Sequence, residues 1–211
     1  IAWSPQARVA NNTISRWIRN NEYGIYLYSS DDSILHNNTV TSTGEWAISI
    51  YSSSNTTLRA NTLSTPDDMS VGFNLADDDL APDIDMSNTI EGLPIWYNSS
   101  VSDRTLLADT NISASYGAVI CLRCSNITYN NISMGTEGIT LSYGGRNRII
   151  NSQIHSTSGS ALIAYGDNHL VENNTFTSNR TDSYATAFTI NGENNTLNHN
   201  IIRTSTGNLV E

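Results

Sequence analysis

A hydrophobic pattern that returns every twenty-odd residues can be buried only by stacking one repeat on the next. Asn12-Thr13-Ile14, followed by Gly24-Ile25-Tyr26-Leu27 and Ile34, is answered by Asn38-Thr39-Val40, followed by Ala47-Ile48-Ser49-Ile50 and Leu58. The Gly24/Ala47, Ile25/Ile48 and Leu27/Ile50 pairs are each 23 residues apart. Later, Gly138, Ile139, Leu141, Ile149 and Ile154 map onto Ser160, Ala161, Ile163, Val171 and Phe176 at an offset of 22.

Within each repeat, alternation such as Ile25-Tyr26-Leu27 sends every second side chain inward, the mark of a strand with one buried face. The pattern predicts an all-β fold: a right-handed, single-stranded parallel β-helix with 22–23 residue coils and three strand columns. The first column is expected to stack Ile25, Leu27, Ile48, Ile50, Ala118, Ile120, Ile139, Leu141, Ala161, Ile163, Phe188 and Ile190. The second holds Ile34, Leu58, Ile127, Ile149, Val171 and Leu197, and the third Val40, Leu63, Ile132, Ile154, Phe176 and Ile202. Asn12, Asn38, Asn61, Asn131, Asn174 and Asn200 precede the third column in step with the coil. They are expected to stack as an asparagine ladder in the turns; the competing reading is a row of ligand-binding amides. Extra residues enter around 15–22 and 179–184. The chain reads as one β-helix domain over 1–211, with 65–110 either an acidic insertion or imperfect coils.

Charge narrows the partners. The 211 residues contain no Lys, ten Arg and twenty Asp plus Glu, for a formal net charge of −10. That balance leaves no basic stripe for nucleic acid or anionic lipid. No apolar run is long enough to span a bilayer. The first residue is Ile1 rather than Met, as in a processed or partial chain. Ten Asn-x-Ser/Thr sequons, at Asn11, Asn37, Asn55, Asn98, Asn111, Asn126, Asn131, Asn173, Asn179 and Asn194, fit an extracellular glycoprotein. They also fit turns that simply favour Asn.

The run Asp83-Ile84-Asp85-Met86-Ser87-Asn88-Thr89-Ile90-Glu91-Gly92-Leu93-Pro94-Ile95-Trp96-Tyr97 resembles a linking segment of NosD-like β-helix proteins. Gly117-Ala118-Val119-Ile120-Cys121-Leu122-Arg123-Cys124-Ser125-Asn126-Ile127-Thr128 resembles the coil that follows it there. The similarity covers nearly the whole chain, and such domains occur in surface and S-layer-associated proteins of archaea. The resemblance implies a right-handed parallel β-helix and an exported protein, and it transfers no activity. The family label speaks of copper, but the matched positions carry no copper ligand set.

The remaining chemistry is sparse. His36, His155, His169 and His199 fall at different phases of the coil, unlike a converging transition-metal site. Cys121 and Cys124 are either a local disulfide, as an exported chain would favour, or two free thiols. Asp77, Asp78, Asp79, Asp83 and Asp85 crowd hard oxygen donors together and suggest calcium as the one ion, with no other cofactor expected. Asp31, Asp32, Asp167 and Glu193 stand at turns, yet the paired-carboxylate signature of β-helix glycosidases is missing, so no catalytic residue is assigned. Tyr28 with Tyr51, and Tyr143 with Tyr165, should stack on neighbouring coils beside Tyr26 and Trp46, offering rings to a surface polysaccharide. Leu209 and Val210 follow the last coil without a visible cap and are expected to mediate end-to-end self-assembly. A self-assembling cell-envelope layer, sheath or filament is the first functional expectation. A non-catalytic glycan-binding module is the second, and a polysaccharide-active enzyme the third.

Overall fold

The computed structural model describes residues 4–15, 23–41, 46–64, 71–75, 82–106, 116–157, 159–179, 186–205 and 208–210. The chain divides into two units, Ile1–Ile95 and Trp96–Glu211. All regular structure among the described residues is β-strand, stacked as a parallel β-solenoid.

In the first unit, the strands in chain order are β1 (Arg8–Ala10), β2 (Thr13–Ser15), β3 (Tyr23–Tyr28), β4 (Ile34–His36), β5 (Thr39–Thr41) and β6 (Trp46–Tyr51). They continue as β7 (Thr57–Arg59), β8 (Thr62–Ser64), β9 (Val71–Leu75), β10 (Asp83–Ile84) and β11 (Thr89–Ile90). Three columns result: β3-β6-β9, β1-β4-β7-β10 and β2-β5-β8-β11. Within 65–110, the described strands β9, β10 and β11 each continue a column. Next comes β12 (Leu93–Ser99), whose first residues turn back antiparallel on β11. Ile25, Leu27, Ile48 and Ile50 fill the first column's interior, Leu35, Leu58 and Ile84 the second's, and Val40, Leu63 and Ile90 the third's. Burying each such Leu or Ile contributes about 1.5–3 kcal/mol.

The second unit continues with β13 (Ser102–Leu106), β14 (Ala118–Leu122), β15 (Ser125–Asn130), β16 (Ser133–Thr136), β17 (Ile139–Gly145), β18 (Arg148–Ile150) and β19 (Gln153–Ser156). It ends with β20 (Leu162–Asp167), β21 (Leu170–Glu172), β22 (Thr175–Ser178), β23 (Thr186–Asn191), β24 (Thr196–Asn198), β25 (Ile201–Thr204) and β26 (Asn208–Val210). Its columns are β14-β17-β20-β23-β26, β13-β15-β18-β21-β24 and β16-β19-β22-β25.

Coil length is not constant, and this corrects several core assignments. Successive third-turn rungs lie 26, 23 and 27 residues apart in the first unit and 20, 22 and 26 apart in the second. A fixed offset of 22 therefore slips by one residue. Ile139 pairs with Leu162 rather than Ala161, and Leu141 with Ala164 rather than Ile163; a bulge between Leu141 and Gly144 absorbs the difference. Likewise Val119 and Cys121, not Ala118 and Ile120, align with Ile139 and Leu141. Leu35 replaces the exposed Ile34. Tyr129 aligns with Ile149, although Ile127 is also buried. Met134, not Ile132, aligns with Ile154. Leu197 holds its register opposite Val171 but is exposed.

The asparagine ladder runs inside. Asn12 Nδ2 donates to Asn38 Oδ1 (3.0 Å), Asn38 Nδ2 to Asn61 Oδ1 (2.9 Å) and Asn61 Nδ2 to Asn88 Oδ1 (2.9 Å). Asn38, Asn61, Asn88 and Asn174 are buried, so they are structural rungs rather than ligand-binding amides. In the second unit the Ile132 backbone amide donates to Ser152 Oγ, and the side-chain rungs continue through Asn174 and Asn200. Asn131 stands one residue outside the ladder, exposed and at φ 54°.

Candidate functional site

With the interior filled by aliphatics and ladders, chemistry is left to outward side chains. Among the described residues, a group of aromatic rings surrounds β3 and β6. Ile25 and Leu27 point inward, so alternation turns Tyr26 and Tyr28 out, and the register sets Tyr51 beside Tyr28 and Trp46 beside Tyr23. The rings form a continuous chain. Trp46 stacks on Tyr23 at 5.5 Å, Tyr23 on Tyr26 at 4.6 Å, Tyr26 meets Tyr28 at 6.0 Å, and Tyr28 stacks on Tyr51 at 5.4 Å with planes 1° apart. Tyr28 and Tyr51 are 37% and 40% exposed; Tyr23, Tyr26 and Trp46 are half-buried. Burial, then the neighbouring Tyr23, Tyr28 and Tyr51, raises the Tyr26 phenol above its ordinary range. Tyr23 was not singled out from sequence, although its spacing to Trp46 equals that of Tyr28 to Tyr51. Gly24 makes this strand start feasible, since a Cβ there would stand 2.4 Å from Val40 Cγ1 and 2.5 Å from the Ala47 carbonyl oxygen. Tyr143 and Tyr165, each 40% exposed, lie in the second unit, where the β17 bulge shifts register.

The turn carboxylates accept hydrogen bonds from the following coil. Asp31 Oδ1 accepts from the Ser54 amide (2.7 Å), Asp32 Oδ1 from Asn55 Nδ2 (3.2 Å), and Asp167 Oδ1 from the Glu193 amide (2.7 Å). Asn126 lowers the pKa of Asp103 by a side-chain hydrogen bond, with Ser102 assisting. Asp83 and Asp85 both face Arg59, whose guanidinium supplies the positive charge there. Asp77, Asp78 and Asp79 lie outside the described residues.

Seven sequon asparagines, Asn11, Asn37, Asn55, Asn126, Asn131, Asn173 and Asn194, have φ between 51° and 58°. Asn tolerates this left-handed region better than most residues, which gives a conformational reason for Asn at those turns. Asn98 is half-buried in β12, Asn179 is exposed, and Asn111 lies outside the described residues. The backbone of Leu209 and Val210 belongs to β26, which pairs with β23.

Cys121 and Cys124 are joined in a disulfide with Cα atoms 5.7 Å apart, which removes both thiolates as metal ligands. His169 sits inside another turn ladder. Its Nδ1 accepts from the Asn147 amide at 3.2 Å, and its own amide donates to Asn195 Oδ1 at 2.8 Å. Burial holds its imidazole below the ordinary range, against smaller influences of the Tyr165 backbone, Asp167 and the Asn147 backbone. His155 stands beside Asn179 (3.4 Å). Among the described residues no three His, Cys, Asp or Glu side chains converge to hold a metal, so this donor set does not fit copper. No helix among them is long and apolar enough to cross a membrane.

No curated protein matches the chain at a significant level. Residues 4–80 match the family model for NosD, described as a periplasmic copper-binding protein. Over residues 4–80 the chain is similar to NosD, and its strands stack as a parallel β-solenoid.

Proposed function

We propose that this chain is an envelope or extracellular β-helix module that holds a polysaccharide against the aromatic patch on β3 and β6. The carrying observation is the unbroken run Trp46, Tyr23, Tyr26, Tyr28 and Tyr51, with its last two rings open to solvent. Aromatic rings combine an apolar body with, in Tyr, a hydroxyl at the tip, and a sugar ring offers both kinds of surface. The periplasmic description of NosD and the Cys121–Cys124 disulfide support a location in an oxidising compartment. Binding to an array of neutral and acidic polysaccharides tests the reading. Tyr28→Ala with Tyr51→Ala should weaken binding roughly tenfold to a hundredfold, from about 0.5–1.5 kcal/mol per aromatic contact. Unchanged binding by a folded double variant would refute it.

A second reading is end-to-end assembly into an envelope layer, sheath or filament through β24, β25 and the Leu209–Val210 strand. Leu197 and Ile201, 42% and 49% exposed, favour it. Ile201→Lys should block ordered assembly seen by electron microscopy while leaving the fold intact; assembly that survives the substitution would rule this reading out.

A further inference from the structure

The ring chain has redox as well as binding consequences. Tyrosine and tryptophan are the side chains from which a one-electron oxidant most readily removes an electron, and rings in contact can pass that vacancy along. Trp46, Tyr23, Tyr26, Tyr28 and Tyr51 are linked by centroid distances of 4.6 to 6.0 Å. The most exposed members are the final two, where water can take the phenolic proton. Their strands are paired in register, so the two rings stay together, and their planes are 1° from parallel. We propose that Tyr28 and Tyr51 form an oxidative modification site, where a one-electron oxidant such as a peroxidase intermediate or sulfate radical creates a dityrosine cross-link between neighbouring coils. Each phenol loses one electron to the oxidant and one proton to water, giving two phenoxyl radicals. A bond then forms between their ortho carbons. The two displaced ring hydrogens return to the phenolic oxygens, so the net change is two electrons to the oxidant and two protons to solvent.

This modification is independent of whether the rings bind sugar. The test is brief photo-oxidation of the full chain with tris(bipyridyl)ruthenium and persulfate, followed by cleavage at acidic residues and mass spectrometry. Trypsin will not serve, because no Lys or Arg lies between the two tyrosines, whereas Asp31, Asp32 and Glu45 do. The expected product is a monomer with dityrosine fluorescence, in which the Tyr28 peptide is joined to the Tyr51 peptide. That joined peptide should disappear in Tyr51→Phe, which keeps the ring. Cross-links confined to Tyr143 and Tyr165, cross-links only between molecules, or hydroxylated tyrosines with no joined 28–51 peptide would each overturn the proposal.

Discussion

Replacing Asn61 by Ala tests whether the internal ladder, rather than the aliphatic columns alone, holds the first unit together. The Asn61 amide makes four side-chain hydrogen bonds. Nδ2 donates to the Leu35 carbonyl and to Asn88 Oδ1, both at 2.9 Å, while Oδ1 accepts from the Asn38 amide (3.1 Å) and Asn38 Nδ2 (2.9 Å). At about 0.5–1.5 kcal/mol net for each, with a buried Asn38 donor then left unpaired, Asn61→Ala should cost about 4 kcal/mol. Asn12 is the internal control. It is exposed, and its side chain donates to Asn38 Oδ1 and the Ala10 carbonyl, both at 3.0 Å. Water can replace those partners, so Asn12→Ala should cost roughly 1 kcal/mol. Urea unfolding, with slopes compared between variants, reads both values. If Asn61→Ala costs no more than Asn12→Ala, the ladder is ornamental and the columns hold the coils by themselves.

Three further outcomes follow from the second unit. The folded pKa of His169 is depressed, so its contribution is full above the unfolded value of about 6.5 and is lost as pH falls through the folded value. His169→Asn, matching the Asn147 and Asn195 rungs, should therefore flatten the acid side of the stability profile measured by thermal melting. Gly166 lies at φ 134°, and a Cβ there would fall 1.7 Å from the Gly144 carbonyl oxygen and 3.1 Å from His169 Nε2; Gly166→Ala should cost about 3 kcal/mol or more, or leave the second unit unfolded by circular dichroism. Reducing the Cys121–Cys124 disulfide should lower stability by roughly 2 kcal/mol, the loop-closure value for so short a span, read as a thiol-dependent shift in the urea midpoint.

The parallel β-solenoid was legible because period-two alternation inside a recurring coil has few other solutions. Ile25, Ile48, Leu27 and Ile50 pair as their spacing requires. What sequence could not supply was the register where coil length changes. At the start of β20, Ala161 and the strand residues Leu162, Ile163 and Ala164 are all apolar, so alternation does not choose between the two faces. The choice depends on the bulge before Gly144, whose Cβ would meet the Cys124 carbonyl oxygen at 1.9 Å. The coil of β9, β10 and β11 was masked by its acidic and proline-rich connections, although Asn88-Thr89-Ile90 repeats the Asn61-Thr62-Leu63 grammar. At the candidate site, Tyr28 and Tyr51 were visible by spacing. The spacing of Tyr23 to Trp46 offered the same signal, whereas its contact with Tyr26 runs along one strand and has no between-coil spacing to reveal it.

The ladders also explain why so few positions are left for function. An inner rung must accept from one coil and donate to another, and a carboxamide does both, as Asn38, Asn61 and Asn174 do. A carboxylate can only accept, so Asp31, Asp32, Asp167 and Glu172 stand on the outer edge and take donors from the following coil. Each of these four carboxylates thereby takes its own donor from the next coil, whereas metal binding or paired-carboxylate catalysis requires carboxylates that converge on one point. The aromatic patch on β3 and β6 differs in being contiguous and outward. Among the described residues of the first unit it brings five aromatic side chains into ring-to-ring contact.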